Sequence, residues 1–284
     1  MSKKDLPYLL AKKERHEPIV MLTCYDYPTA QIEEEAGVDI IFVGDSVGTN
    51  MLGYAAETEV TMEDMLHHLK AVRRGIQEAY LLVDMPHGSY ETPEMAVENA
   101  ERLRQYGPSG VKLEGGSEQA PVVRALVAAG FEVCGHMGFT PQTMGTKGRV
   151  QGRSLEEGKS LIASALALEE AGLSMLVLEL VSEPISRLIT QRLRIPTIGI
   201  GSGLPCDGQV LVITDVLGIS PIERKLFKRY EQLRARSLQA VNSYREEVVQ
   251  GIFPTEANTF NRISPEEADA LAEWMDQGMP AEAV

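Results

Sequence analysis

Residues 39–46 read DIIFVGDS, an apolar run that ends in a small cluster of glycine and polar residues. The same pattern recurs in IVMLTCYD (19–26), LLVDMP (81–86), VKLEGG (111–116), EVCGHMG (132–138), MLVLEL (175–180), TIGIGSG (197–203) and LVITD (211–215). Segments with helical patterning separate most of these runs, and such alternation is typical of a parallel sheet. Eight units predict an α/β protein with a (β/α)8 TIM barrel, in which parallel strands close inside a ring of helices.

The clearest helical pattern lies in residues 61–78, where apolar side chains recur every three or four positions. Thr61 is the predicted N-cap, and Asp64 is its partner in a capping box. Residues 92–107, with Pro93 at the first helical position, and residues 154–172 follow a similar pattern. We expect these helices to pack against the outside of the barrel.

The chain changes character after residue 222 and becomes charged and helical. Residues 222–250 predict one long helix with a mostly apolar stripe, formed by Leu226, Tyr230, Leu233, Val241, Tyr244 and Val248. A final amphipathic helix is predicted from Ser264. We therefore predict one barrel domain over residues 1–284, with residues 222–284 as a C-terminal helical extension whose stripe favours a homo-oligomer.

Composition limits the classes of function. The chain has 284 residues, 44% of them hydrophobic, which is enough for one large core. Its net charge of −14 argues against nucleic acid or an anionic membrane as partner and leaves small-molecule substrates. Three widely spaced cysteines without a CxxC motif favour neither a disulfide framework nor a thiolate zinc site. With no signal-peptide or membrane-helix pattern, we expect a cytoplasmic protein.

Six polar residues stand at or just after the ends of the predicted strands, and in this fold those ends form the active-site face. They are Asp45, Asp84, Lys112, Glu114, His136 and Glu179. Asp45 and Asp84 would repel one another, so a hard cation such as Mg²⁺ is a natural counter-ion, and Glu114 could add an oxygen directly or through water. Alternatively, these acids cap helices or pair with barrel lysines.

Lys112 precedes Glu114 by two residues, so both side chains point to the same side of their strand. An ammonium group there would attract a carboxylate or an enolate oxygen. A salt bridge to Glu114 or Asp84 and a Schiff base with a substrate are the alternatives. The flanking acids favour the charged, electrostatic role.

His136 lies between Gly135 and Gly138, which leave room for a ligand, so a catalytic role stands beside a purely structural one. Glu179 ends an apolar strand, where partial desolvation suits a carboxylate to act as a general base. An ion pair with Arg187 or Lys112 is the alternative for Glu179. The basic segment 147–153 either attracts an anionic cosubstrate at the mouth or is a solvated surface loop.

Several motifs together resemble the ketopantoate hydroxymethyltransferase family over about residues 19–258. They are GDSVG (44–48), HHLKAVRRG (67–75), DMPHGSY (84–90), ETPEMAVENA (91–100), VKLEGG (111–116), GHMGFTPQ (135–142), VQGR (150–153), LALEEAG (166–172) and IPTIGIGSG (195–203). The resemblance implies a TIM barrel that transfers a hydroxymethyl unit from 5,10-methylenetetrahydrofolate to 3-methyl-2-oxobutanoate, in pantothenate and coenzyme A biosynthesis.

The same resemblance implies roles for individual residues. Asp45, Asp84 and Glu114 would bind Mg²⁺, and Glu179 would accept a proton. The implied substrate contacts are Asp45, Ser46, Asp84 and Lys112. For His136 we add the hypothesis that it assists proton transfer at the keto oxygen or a folate nitrogen. Family members are commonly decamers, which would give the C-terminal helix a partner.

Three features depart from the family pattern. His87 stands where an apolar residue is usual, Leu180 follows Glu179 in place of a usual cysteine, and residues 143–150 form a shorter loop. The nearest rival is a metal-dependent 2-oxo acid enzyme of the phosphoenolpyruvate mutase or isocitrate lyase type, but a KKCGH-like loop is absent. A non-catalytic barrel that binds 2-oxo acids is the other alternative. A nicotinamide oxidoreductase lacks support because no dinucleotide fingerprint is present.

Overall fold

The computed structural model describes residues 3–145, 148–222, 225–260 and 263–277. Eight parallel strands form a closed barrel in chain order, with the last strand paired to the first, which confirms the predicted fold. The strands are β1 (Ile19–Thr23), β2 (Ile40–Val43), β3 (Tyr80–Asp84), β4 (Gly110–Glu114), β5 (Glu132–Gly138), β6 (Met175–Glu179), β7 (Thr197–Ile200) and β8 (Gly208–Leu211).

The helices lie between and after these strands. They are α1 (Leu6–Glu14), α2 (Tyr27–Glu35), α3 (Met62–Gly75), α4 (Pro93–Arg104), α5 (Ala120–Ala128), α6 (Pro141–Met144), α7 (Leu155–Glu170), α8 (Glu183–Arg192), α9 (Ile213–Val216), α10 (Leu233–Val249) and α11 (Pro265–Asp276). Thr61 and Asp64 form the predicted capping box of α3. Pro93 begins α4, and Ser154 caps α7, so these three helix predictions are confirmed.

Alternate strand residues point into the barrel, where apolar side chains fill the interior below the carboxyl ends of the strands. This inner cluster includes Ile40, Phe42, Leu82, Val177 and Ile198. A larger cluster packs the outer strand faces against the surrounding helices. At the carboxyl rim, above the apolar residues that fill the interior, inward-facing strand positions carry polar side chains.

The eighth predicted strand is displaced. Strand β8 covers Gly208–Leu211, whereas most of the LVITD run forms the short helix α9. The reason is a contact between distant parts of the chain, because the backbone N–H of Ile213 donates to the Thr23 hydroxyl at the end of β1 (3.0 Å). A strand continued through Ile213 would have lost this bond.

The prediction of one helix over residues 222–250 is wrong in its first part, since α10 begins at Leu233. Residues 225–232 are irregular, and the N–H of Tyr230 donates to the carbonyl of Val216 (2.9 Å). The Arg229 guanidinium donates to the carbonyls of Ser220 and Ile222. These tertiary contacts replace the helical hydrogen bonds that the sequence pattern predicted.

The chain divides into two compact units, residues 1–232 and residues 233–284. The first contains the barrel. In the second, α10 carries an exposed apolar face that includes Leu238, Val241 and Tyr244. Among the described residues, no helix is long and apolar enough to cross a membrane.

Candidate active site

The six predicted polar residues meet at the carboxyl ends of strands β2 to β6. Cross-strand register places Asp84 beside Lys112 and Glu114 beside His136. It places Glu179 beside Gly138, two residues after His136. Five of them are buried, namely Asp45, Asp84, Lys112, Glu114 and His136. The Glu179 side chain keeps 18% exposure, so it is the one most open to a reacting molecule.

Lys112 is held by Asp84, with 2.5 Å between Nζ and Oδ1. The other Asp84 oxygen accepts the backbone N–H of Asp45 at 2.9 Å, and the Lys112 ammonium lies 4.9 Å from the Phe42 ring centroid. Burial alone would lower the pKa of Lys112, but the surrounding carboxylates raise it above its ordinary value. The lysine is therefore charged, which supports the electrostatic role and argues against a Schiff base.

The pKa values of the two aspartates are shifted to different extents by their neighbours. Burial, together with repulsion from Asp84 and Glu114, raises the pKa of Asp45 well above its usual range. Burial also raises the pKa of Asp84, although the Lys112 ammonium works in the opposite direction. Asp45 therefore has the greater need of an additional positive charge.

His136 links two of the acids. Its Nδ1 lies 3.0 Å from Glu114 Oε1, and its Nε2 lies 3.3 Å from Glu179 Oε2, a distance for an ion pair but without hydrogen-bond geometry. Burial and Lys112 oppose protonation, yet Glu114 raises the pKa of His136 to about 9. Burial would raise the pKa of Glu114, but His136 lowers it below the ordinary value. An imidazolium between two carboxylates is the resulting state near neutral pH.

Two residues of the site were not among the sequence predictions. Gln142, in α6, donates from Nε2 to Asp45 Oδ2 (2.7 Å) and from its backbone N–H to Glu114 Oε2 (3.0 Å). The Tyr90 hydroxyl donates to the side-chain oxygen of Gln142. The GHMGFTPQ motif, which runs from Gly135 past the end of β5, was the available signal for Gln142, because residues just beyond strand ends share the rim.

Ser46 and Glu179 are positioned by neighbouring segments. The Ser46 hydroxyl lies 2.9 Å from the Tyr25 hydroxyl, at the half-buried edge of the site. After Glu179, the N–H of Val181 donates to the Ser202 hydroxyl, which itself donates to the carbonyl of Leu178 (2.7 Å). The glycine-rich loop after β7 thus fixes the end of β6. Arg187 does not pair with Glu179, because its guanidinium bonds Glu183 at 2.8 Å.

The family model described as ketopantoate hydroxymethyltransferase matches residues 3–256. The chain belongs to this family. A protein named 3-methyl-2-oxobutanoate hydroxymethyltransferase from Moorella thermoacetica is 49% identical over 265 residues, covering 91% of this chain and 98% of that protein. Proteins of the same name from Thermotoga neapolitana and Ignicoccus hospitalis are 48% and 46% identical, covering 88% and 90% of this chain and 94% and 98% of theirs. The family predicted from the motifs is confirmed.

Solved structures with a similar fold include enzymes outside the family. A phosphonopyruvate hydrolase in complex with oxalate and Mg²⁺ aligns with a TM-score of 0.61 at 12% identity, covering 98% of this chain and 97% of that one. The 2,3-dimethylmalate lyase, a member of the PEP mutase/isocitrate lyase superfamily, aligns with a TM-score of 0.55 at 14% identity, covering 98% and 100%. At these identities the likeness concerns the barrel fold alone.

The three departures from the family pattern fall around the rim. His87 is exposed, and Leu180 has a left-handed backbone with φ of 49°. The loop after α6 returns to this point, where the N–H of Gln151 donates to the carbonyl of Leu180 (2.7 Å). Arg149 and Arg153 are exposed, while Lys147 lies outside the described residues. The chain just after this loop is therefore bonded to the residue that follows Glu179.

Proposed function

We propose that this family member makes ketopantoate from 3-methyl-2-oxobutanoate, with 5,10-methylenetetrahydrofolate as donor of the one-carbon unit. The observation that carries the proposal is the buried rim cluster, in which four acids surround one lysine and one histidine. Such a surplus of acid suits cation-assisted chemistry on a 2-oxo acid. The cluster lies within the residues that the family model matches.

Mg²⁺ is the proposed metal, and the residues present fit it. The acids offer hard oxygen ligands, and each aspartate retains lone pairs beyond its hydrogen bonds to the protein. Within the described ranges, no three His, Cys, Asp or Glu side chains are arranged to hold one ion directly. We therefore assign Asp45 and Asp84 as direct ligands and Glu114 as a ligand through water. When bound, Mg²⁺ would polarise the keto group and stabilise negative charge on its oxygen.

Glu179 is the proposed general base. Its partly exposed carboxylate removes the proton from C3 of 3-methyl-2-oxobutanoate, and the electron pair of that bond moves toward the keto oxygen. The Lys112 ammonium stabilises the negative charge that develops there. Ser46, at the edge of the site, contacts the substrate together with Asp45, Asp84 and Lys112.

The carbon nucleophile then forms a bond to the methylene carbon carried by the folate. One carbon–nitrogen bond of the folate breaks as this bond forms, and its nitrogen takes up the proton released from C3. Water then displaces the second nitrogen, giving its oxygen to the hydroxyl group and a proton to that nitrogen, and tetrahydrofolate leaves. The exposed Arg149 and Arg153 at the shortened loop are suited to attract the anionic tail of the folate. We therefore assign to the basic segment the role of attracting the anionic cosubstrate.

His136 is proposed to assist proton transfer. Its Nδ1 is held by Glu114 and its Nε2 faces Glu179, so the imidazolium can give its Nε2 proton to the keto oxygen or a folate nitrogen and then take up the proton that Glu179 removed from C3. We expect His136→Gln to reduce turnover by about 10- to 100-fold through loss of this transfer. Steady-state kinetics would test it, and near-normal turnover in the variant would remove His136 from the mechanism.

Exchange of the C3 proton in D₂O tests the core of the proposal. The purified protein is incubated with 3-methyl-2-oxobutanoate and Mg²⁺, and deuterium at C3 is followed by NMR before and after addition of methylenetetrahydrofolate. We expect exchange first and ketopantoate second. Glu179→Gln should lose at least about 1000-fold in exchange rate, whereas Glu183→Gln, on an exposed ion pair in α8, should not change it.

Two parallel measurements separate the rivals. Tight binding of the 2-oxo acid in calorimetry without any C3 exchange would support the non-catalytic barrel. Cleavage of phosphonopyruvate or 2,3-dimethylmalate, without hydroxymethyl transfer to 3-methyl-2-oxobutanoate, would support the phosphoenolpyruvate mutase or isocitrate lyase type. The family match, rather than the fold, favours the transferase.

We also propose a homo-oligomer, a decamer by family resemblance, in the cytoplasm. The exposed apolar face of α10 supports assembly, because contiguous apolar patches commonly mark interfaces. The three cysteines are buried and free, as suits a reducing compartment. Light scattering tests the assembly, and a monomeric mass would contradict it.

A further inference from the structure

We propose that Gln142 is a positioning residue that holds Asp45 and Glu114 in the arrangement required for cation binding. The inference rests on the proposed function, since it concerns the same cation site. Gln142 is 4% exposed and stands in the four-residue helix α6, immediately after β5. It therefore reaches into the rim from a segment separate from the strands that carry the two acids.

The side-chain amide of Gln142 has one orientation that satisfies all its neighbours. Nε2 donates to Asp45 Oδ2 at 2.7 Å and to the carbonyl of Met85 at 3.2 Å, which uses both of its hydrogens. The side-chain oxygen of Gln142 accepts the Tyr90 hydroxyl. A flipped amide would set an oxygen against the Asp45 carboxylate, so this network fixes the direction of the donor.

The backbone of the same residue holds the second acid. The N–H of Gln142 donates to Glu114 Oε2 at 3.0 Å, while Glu114 Oε1 faces His136. The Tyr90 hydroxyl also accepts the backbone N–H of Glu114 at 3.3 Å. Gln142 and Tyr90 thus connect the carboxylate after β2 to the carboxylate that ends β4.

Charge explains why an amide suits this position. Asp45, Asp84 and Glu114 repel one another, and each hydrogen bond from a neutral donor offsets part of that repulsion. A lysine in place of Gln142 would offset more of it but would also compete with a divalent cation. The amide orders the acids and leaves their negative charge available for the metal.

Binding of Mn²⁺, measured by electron paramagnetic resonance on the folded protein without substrate, provides a readout separate from activity. Gln142→Met keeps a similar volume but has no side-chain hydrogen-bond donor, and we expect it to weaken Mn²⁺ binding by about 10- to 100-fold. Tyr90→Phe should weaken it less, because the amide donor remains. Gln209→Met, at an exposed glutamine whose amide bonds the Gly203 carbonyl, is the matched control and should bind as the wild type does.

The outcomes separate this inference from the proposed function. If the wild type binds Mn²⁺ and Gln142→Met binds it equally well with an unchanged KM at limiting metal, the positioning role is wrong. If the wild type binds no Mn²⁺ and exchanges no C3 proton, the proposed function itself fails. Should Gln142→Met not fold, Gln142→Asn decides, because it keeps an amide but shortens the side chain so that the donor no longer reaches Asp45; unchanged Mn²⁺ affinity in that variant would also overturn the inference.

Discussion

The two ends of the barrel both carry aspartate–lysine pairs, but they differ in how charge is balanced. At the amino end, Lys12 lies 2.7 Å from Asp39, and Lys13 lies 2.7 Å from Asp207. Each of these acids has its own cation. At the carboxyl end four acids share two cations, since the Lys112 ammonium bonds Asp84 and the His136 imidazolium lies between Glu114 and Glu179.

The amino end of the barrel, where each acid has its own cation, is typical of structural ion pairs. Asp39 accepts hydrogen bonds from the Tyr8 hydroxyl, Lys12 and the N–H of Val20, so helix α1 is tied to strand β1. At the carboxyl end, by contrast, the buried acids repel one another and lose their hydration, and both effects destabilise the folded state. The barrel fold itself does not require such a cluster. Excess buried charge of one sign therefore distinguishes the reactive rim from a merely stabilising one.

Replacing one aspartate at each end should give opposite phenotypes, and the largest effect is expected at the carboxyl rim. We expect Asp84→Asn to lower kcat/KM by at least about 1000-fold, about 4 kcal/mol, because it removes a proposed metal ligand and the partner of Lys112. The free energy of unfolding should change by less than about 1 kcal/mol, since Lys112 still faces Asp45 and Glu114, and both of these acids lose their repulsion from Asp84. Steady-state kinetics and urea denaturation measure both quantities.

A third kind of buried acid lies in the helices around the barrel. Glu33, in α2, is 1% exposed, and neither of its carboxyl oxygens has a hydrogen-bond partner among the described residues. Burial, with a smaller contribution from Asp26, raises the pKa of Glu33 from 4.5 to about 8. Where the rim acids have donors and a lysine, Glu33 remains neutral by keeping its proton.

This protonation makes the stability of the protein depend on pH. The folded state keeps the Glu33 proton up to about pH 8, whereas the unfolded chain releases it near pH 4.5. The stabilisation is complete below pH 4.5 and is lost as the pH rises toward 8, by roughly 3 to 4 kcal/mol between pH 5 and pH 8. Glu33→Gln should remove this part of the pH dependence in urea denaturation. The exposed neighbour Glu35→Gln should retain it, and identical pH slopes for wild type and Glu33→Gln would contradict the assignment.

The smallest effect on activity is expected at the amino end of the barrel. Asp207 accepts hydrogen bonds from Lys13 and from the backbone and hydroxyl of Thr197, with its side chain 11% exposed. Asp207→Asn should lower the free energy of unfolding by about 2 kcal/mol, because Lys13 loses its charged partner. Its kcat at a permissive temperature should stay within about twofold of the wild type. A large loss of kcat in a folded Asp207→Asn variant would break the distinction between the two ends.

The sequence predicted the rim residues well, because one rule governs them. Parallel strands of a closed barrel end at the same face, so Asp84, Lys112 and Glu179 could be assigned to one site from their positions after apolar runs. Local pattern was also sufficient for the capping box of α3. These features depend on neighbours in sequence or on the symmetry of the barrel.

Other features depend on contacts between distant segments, and the sequence pattern missed them. The Gln142 network requires α6 to fold back over the rim. The end of β8 and the irregular stretch before α10 make hydrogen bonds to distant partners, to Thr23 in the first case and to Val216, Ser220 and Ile222 in the second. Periodicity in one segment contains no information about such distant partners.

The turn at Gly138 has a consequence for how this enzyme could change. Gly138 has φ of 99°, a side chain there would collide with the Glu179 carbonyl, and the N–H of Phe139 donates to that same carbonyl (2.8 Å). Gln142 stands four residues after Gly138. The proposed proton abstraction and the proposed cation binding thus depend on one short stretch of main chain, so a substitution that shifts this turn should alter both together and leave little freedom to adapt either separately.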